Sequence, residues 1–138
     1  QVSAGLAARR GGTDLGDRGE ATLERGRRAA AARDIPELIA ADMAFHQLIC
    51  EAAGNAMILE TMASHWNHTR RVMQTILSDD RHKEQVWHDH AAILDAVCAG
   101  DVTTAERAAR DHAERASEWF ENEMARADSH ARVGTAQG

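Results

Sequence analysis

Apolar residues in this chain recur at intervals of three and four, the spacing that lines one face of an α-helix, and strand-like alternation never persists beyond a few residues. Ile35, Leu38, Ile39, Phe45, Ile49 and Ala52 form one such line, and Leu59, Ala63, Trp66, Met73 and Leu77 a second. Val86, Ile93, Leu94 and Val97 form a third, and Ala105, Ala109, Ala116 and Trp119 a fourth. Each stripe needs a neighbour to cover it, because helical stability in a protein comes mostly from packing an amphipathic face.

Turn residues punctuate these stripes. Asp34 before Ile35-Pro36-Glu37 reads as an N-cap with proline in the first turn, and that helix runs to about residue 53, where Gly54-Asn55 stops it. The next helix spans about 57–77. Ser78-Asp79-Asp80 caps a helix over about 81–98 that closes at Ala99-Gly100, and Asp101 caps a last long helix to about residue 126, with a frayed tail beyond 128. Toward the N-terminus, the run from Gly11-Gly12-Thr13-Asp14 to Gly19 predicts a flexible loop between a short Ala-rich remnant, about 3–9, and a helix over about 20–33. Short connections favour antiparallel neighbours, so the expected fold is all-α: a compact antiparallel bundle of about six helices.

Composition narrows the picture. At 138 residues, 43% of them hydrophobic, the chain supports one core and one domain. A net charge of −6 without a concentrated surplus of Lys and Arg argues against holding DNA by its phosphates. No apolar run approaches the ~18 residues of a membrane span and no signal peptide is evident, so the expected location is cytoplasmic. Cys50 and Cys98 each lie among aliphatic residues in a helical pattern, which predicts two buried thiols.

The informative residues are polar ones that fall inside the apolar stripes, because burying an ionisable group is costly unless it finds a partner or a metal. Asp42 and His46 lie on the first stripe at i and i+4, His90 on the third and His112 on the fourth, whereas His88 lies off the stripe with Asp95. Three imidazoles and one carboxylate converging on a bundle interior make a first shell for Zn²⁺, with nickel or manganese as alternatives and positions left open to water or ligand. The competing reading is that each is a core residue satisfied by its own hydrogen-bond partner. Arg70, on the second stripe with Asn67 one turn before it and Arg71 beside it, is read as a clamp for a carboxylate ligand or as half of an internal salt bridge. His65, His68, His82 and His130 read as solvated surface residues, with His68 kept as a neighbour of Arg70.

Ala41-Asp-Met-Ala-Phe-His-Gln-Leu-Ile-Cys-Glu-Ala-Ala-Gly-Asn55 resembles the D-x-x-F-H…A-x-G-N signature of the FadR-type C-terminal (FCD) domain of GntR-family transcription regulators. His90-Ala-Ala-Ile-Leu-Asp-Ala-Val-Cys-Ala-Gly-Asp101 and Ala105…Arg110-Asp-His112 are similar to that family's H-x-x-I-L-x-A-I…G-D…A…H pattern. The likeness covers about 27–124, and the motif-bearing core about 20–127, of an effector-binding and dimerisation domain occupying 1–138. Carried over, the family's metal ligands fall on Asp42, His46, His90 and His112, the positions the stripes select. The resemblance implies a central metal and ligand cavity, a small organic or sugar acid as effector, a homodimer, and operator binding through an N-terminal winged helix-turn-helix that this chain lacks. A metal-dependent hydrolase is the rival, but there is no H-E-x-x-H, no nucleophile in a recognisable context and no base beside the four ligands, so no enzyme is expected. A di-iron bundle needs Glu three residues before His, which none of the eight histidines has. A purely structural metal staple is the remaining alternative.

Overall fold

The chain is described by a computed structural model over residues 4, 13–53, 60, 64 and 66–135. Among these residues five helices follow one another, α1 Thr13–Ala32, α2 Ile35–Ala53, α3 Trp66–Leu77, α4 Asp80–Cys98 and α5 Val102–Thr135, with no strand. The all-α bundle is as the periodicity requires, with five helices where about six are expected. The remnant over 3–9, apart from residue 4, and most of the N-terminal half of the 57–77 helix lie outside the described residues.

Aspartates start three of the helices. Asp34 Oδ1 accepts the Glu37 N–H at 3.2 Å, Asp79 Oδ1 the Arg81 N–H at 2.9 Å, and Asp101 Oδ1 the Thr104 N–H at 3.0 Å. Two of these caps also close the helix before them. The Arg33 N–H reaches Ala30 O at 3.2 Å and the Asp34 N–H Ala29 O at 3.0 Å, while Gly100 reaches Val97 O at 3.1 Å and Asp101 Ala96 O at 3.0 Å. Both are Schellman turns whose first residue is left-handed, Arg33 at φ 55° and Gly100 at φ 71°. One aspartate thus ends one helix and starts the next, which forces the chain to reverse.

Side-chain pairings fix the register. Arg18 meets Glu51 at 3.3 Å and Arg25 meets Glu37, so α1 and α2 are antiparallel. α4 and α5 are antiparallel through Asp89 with His112 and Arg115, and through His82 stacked on Trp119 at 4.2 Å. Between α1 and α4 the approach is tight: a Cβ on Gly26 would lie 2.3 Å from the Trp87 ring, one on Gly19 2.5 Å from Leu94, and one on Gly16 3.7 Å from Cys98 Sγ. That order makes this pair antiparallel too. Leu23, between the two tight glycines, is fully buried with Leu38, Phe45, Leu77, Val86, Leu94 and Val97 in the common core.

Several sequence expectations are corrected. The segment from Thr13 to Gly19 is helical, not a loop, because its glycines face α4 and are small for packing. Helix α5 continues to Thr135 although nothing beyond His112 is buried, since backbone hydrogen bonding there needs no core. Cys50 is buried as expected, but Cys98 is exposed at the end of α4, where partial burial and the nearby Asp95 and Glu20 charges push its thiol pKa up. No helix among the described residues is long and apolar enough to cross a membrane.

Helix propensity and packing give opposite signs at two positions. Gly26→Ala should destabilise the protein by about 1–3 kcal/mol, because Trp87 is too buried to move, although alanine is the better helix former. Arg33→Gly should stabilise it by about 0.5–1 kcal/mol by removing a left-handed side chain, since the exposed Arg33–Asp80 pair contributes little. Urea denaturation of the two variants checks both signs.

Candidate metal centre

The i,i+4 spacing on α2 puts Asp42 and His46 on one face, α4 brings His90 and α5 brings His112. All four meet. Asp42 and His90 have no exposed surface, His112 is buried and His46 is half-buried. Asp42 Oδ1 lies 3.0 Å from His90 Nε2 and Oδ2 lies 3.5 Å from His46 Nε2. The imidazole centroids are 4.8 Å apart for His90 and His112, 5.2 Å for His46 and His90, and 6.0 Å for His46 and His112. One ring nitrogen from each histidine lies within 4.8 Å of the others. Phe45 stacks on His90 at 4.2 Å and Trp87 meets it edge-on at 5.0 Å, so aromatic rings flank His90.

Despite these short distances, both Asp42 oxygens and both His90 nitrogens lack a hydrogen-bond partner. Buried polar atoms are nearly always paired, so four orphans at one point leave unmet bonding capacity that a cation could fill. The donor set, one carboxylate and three imidazoles, suits a divalent transition metal. Protonation is opposed at His90 and His112. Burial, with the neighbouring His46 and His112 charges, pushes the His90 pKa well below the ordinary imidazole value. Burial also lowers His112 against the pull of Asp89, whereas at His46 burial, the largest single influence, is outweighed by the charge and side-chain contact of Asp42 together, which raise the pKa.

A second group brings Asp79, His82 and Glu123 together, and it differs in kind. Arg81 binds Asp79 through three contacts of 2.5 to 3.1 Å, and Arg126 lies 3.3 Å from Glu123. These carboxylates are already neutralised by arginine. His82, expected on the surface, is buried, with Nδ1 3.2 Å from Ile76 O and its ring on Trp119. Its position four residues before Val86 on the α4 stripe was the available signal.

The structure does not place every expected site residue at the centre. Asn67, Arg70 and Arg71 are exposed, because α3 buries Ile76 and Leu77 and half-buries Val72 and Met73, which turns Arg70 past the edge of the covered sector. Of the remaining histidines, His68, His88 and His130 are exposed, while His65 lies outside the described residues. Two surface clefts lined by described residues, of 580 Å³ beside Arg27, Lys83 and Trp87 and of 520 Å³ beside Arg25 and Glu37, include none of the four clustered residues. The central cavity expected from the sequence is therefore not seen in them. What the sequence reading missed is Asp89, which is buried and accepts from His112 Nδ1 at 3.0 Å, from Gln85 Nε2 at 2.8 Å and from Arg115. Those donors hold its carboxyl below the usual range although burial works against them.

The sequence profile of the FCD domain matches residues 2–115, which include all four clustered residues. The chain belongs to the FCD domain family. No match to a curated protein is found. FCD domains are the ligand-sensing regulatory parts of GntR-type transcription regulators, which act with a small-molecule effector and a DNA-binding partner domain and are not enzymes. Some of them bind metals.

The orphaned carboxylate of this FCD domain carries a stability cost when no cation is present. Asp42→Asn should therefore raise the stability of the metal-free protein by about 1–2 kcal/mol, because the amide can donate to an imidazole nitrogen. Denaturant unfolding in excess chelator measures it; a loss of stability would show that Asp42 is already satisfied.

Proposed function

We propose that this FCD domain senses a small organic or sugar acid at a metal centre held by Asp42, His46, His90 and His112. Zinc fits the nitrogen-rich donor set first, with nickel and manganese as alternatives. The observation that carries the reading is the complete lack of hydrogen-bond partners at Asp42 and His90 in a fully buried position. When bound, a divalent ion supplies positive charge and open coordination positions for a carboxylate.

The residues divide the work. Asp42 supplies the anionic ligand, and its charge favours any cation placed between the helices. His46, His90 and His112 supply neutral nitrogens from three helices, so occupancy ties α2, α4 and α5 together. Phe45 and Trp87 keep water from His90 and strengthen electrostatic attraction within the site. Arg70 and Asn67 are left out as a carboxylate clamp, since both are exposed. An effector that prefers one arrangement of the tied helices would shift the regulator toward it by that difference in affinity. Membership of the family also supports a cytoplasmic homodimer that reaches DNA through a winged helix-turn-helix module.

The expected stoichiometry is close to one divalent ion per chain by elemental analysis after zinc loading. His90→Ala should abolish it, since the remaining ligands would surround a hole. A thermal-shift screen of organic and sugar acids on the zinc-loaded protein should return stabilising ligands whose effect vanishes with chelator. No metal after reloading would overturn the centre, and ligands indifferent to chelator would overturn the placement of the acid.

A further inference from the structure

Asp89 lies outside the proposed ligand set yet touches one of its members, with three donors on one buried carboxylate. The His112 ring approaches Oδ2 through Nδ1 at 3.0 Å, while Gln85 Nε2, at 2.8 Å, and the Arg115 guanidinium both donate to Oδ1. A carboxylate can only accept, so the His112 nitrogen facing it must carry the proton, and the other nitrogen keeps its lone pair. We propose that Asp89 is the positioning residue of the metal centre, holding His112 in the Nδ1–H tautomer so that Nε2 is free to ligate. This rests on the metal reading above, and it adds a residue on α4 that acts through a ligand on α5.

The two oxygens of Asp89 are not equivalent, and that gives the assignment a distinctive consequence. In Asp89→Asn one position becomes a donor. Arg115 has no acceptor, so the amide oxygen must stay on the Arg115 side and the amide NH₂ must face His112 Nδ1. Nδ1 then has to accept, the proton moves to Nε2, and the lone pair needed by the metal is gone. Asp89→Ala removes the partner without dictating a tautomer. A merely structural carboxylate predicts the reverse order, because the near-isosteric amide disturbs packing less than the truncation. Removing the obligate donor as well, in Asp89→Asn/Arg115→Met, frees the amide to turn its oxygen toward His112, with Gln85 turning its own amide to match.

Two measurements test this. Long-range ¹H–¹⁵N spectra of the metal-free wild-type protein, at about pH 8 where the ring is neutral, should show His112 protonated at Nδ1, and those of Asp89→Asn should show it at Nε2. Zinc titration against a competing chelator should give an affinity about 10–100-fold weaker in Asp89→Ala. Asp89→Asn should be weaker still, and the double variant should recover toward the alanine value or beyond. An Nε2–H tautomer in the wild type, or Asp89→Asn binding zinc at least as well as Asp89→Ala, overturns the proposal. Absence of zinc binding in the wild type would instead remove the metal centre itself, and the tautomer spectra, recorded without metal, would still decide what Asp89 does to His112.

Discussion

The Asp42 carboxylate sits at zero exposure with no hydrogen-bond donor, and the centre of the bundle is organised by that fact. Taking an ionised carboxylate out of water costs several kcal/mol even after relaxation, unless a positive group stands opposite it. Among the described residues the groups beside it are imidazoles, and they are treated unequally. Asp42 favours the charged form of His46, while burial and mutual repulsion hold His90 below its ordinary pKa, and burial lowers His112 too. The result is one buried carboxylate facing two imidazoles whose neutral form is favoured and a third, His46, whose charged form it favours. Helices α2, α4 and α5 each contribute to this set.

Asp89 shows what a satisfied buried carboxylate looks like in the same bundle. It has three donors where Asp42 has none, and its pKa falls because those donors outweigh burial. The Asp79 and Glu123 carboxylates are likewise matched, by Arg81 and Arg126. Proximity of acids and histidines therefore does not separate the groups, since two clusters share it. Satisfaction does: one cluster is closed by arginine and the other stays open at its most buried point.

Much of this was legible in the sequence because periodicity reports which side of a helix faces inward. Asp42, His46, His90 and His112 all lie on apolar stripes, and the structure brings them together. Asp89 carried the same signal, three residues after Val86 and four before Ile93, but an acidic residue beside a flagged histidine passes for a solvated neighbour. Arg70 lies outside the site for a geometric reason: it shares a stripe with Met73 and Leu77, whereas Ile76 and Val72 draw the buried sector of α3 to the other side. The end of α5 was misplaced because the apolar stripe stops near Trp119, and a stripe marks burial, not backbone hydrogen bonding.

Glycine produced the largest disagreement, and its resolution connects the edge of the bundle to its centre. In a local reading Gly16 and Gly19 break a helix; against α4, Gly19 and Gly26 are two points of contact seven residues apart on one face. The absence of a side chain lets α1 approach until Trp87 rests on Gly26, which costs helix propensity but allows a large ring to be buried. That ring also stands edge-on to His90 at 5.0 Å, and its Nε1 is buried without a partner. No hydrogen bond therefore fixes Trp87, and its position is set by shape alone, between the α1 backbone and an imidazole of the candidate centre. The spacing between α1 and α4 and the wall around His90 are consequently one quantity, determined by a residue type that sequence periodicity treats as a gap.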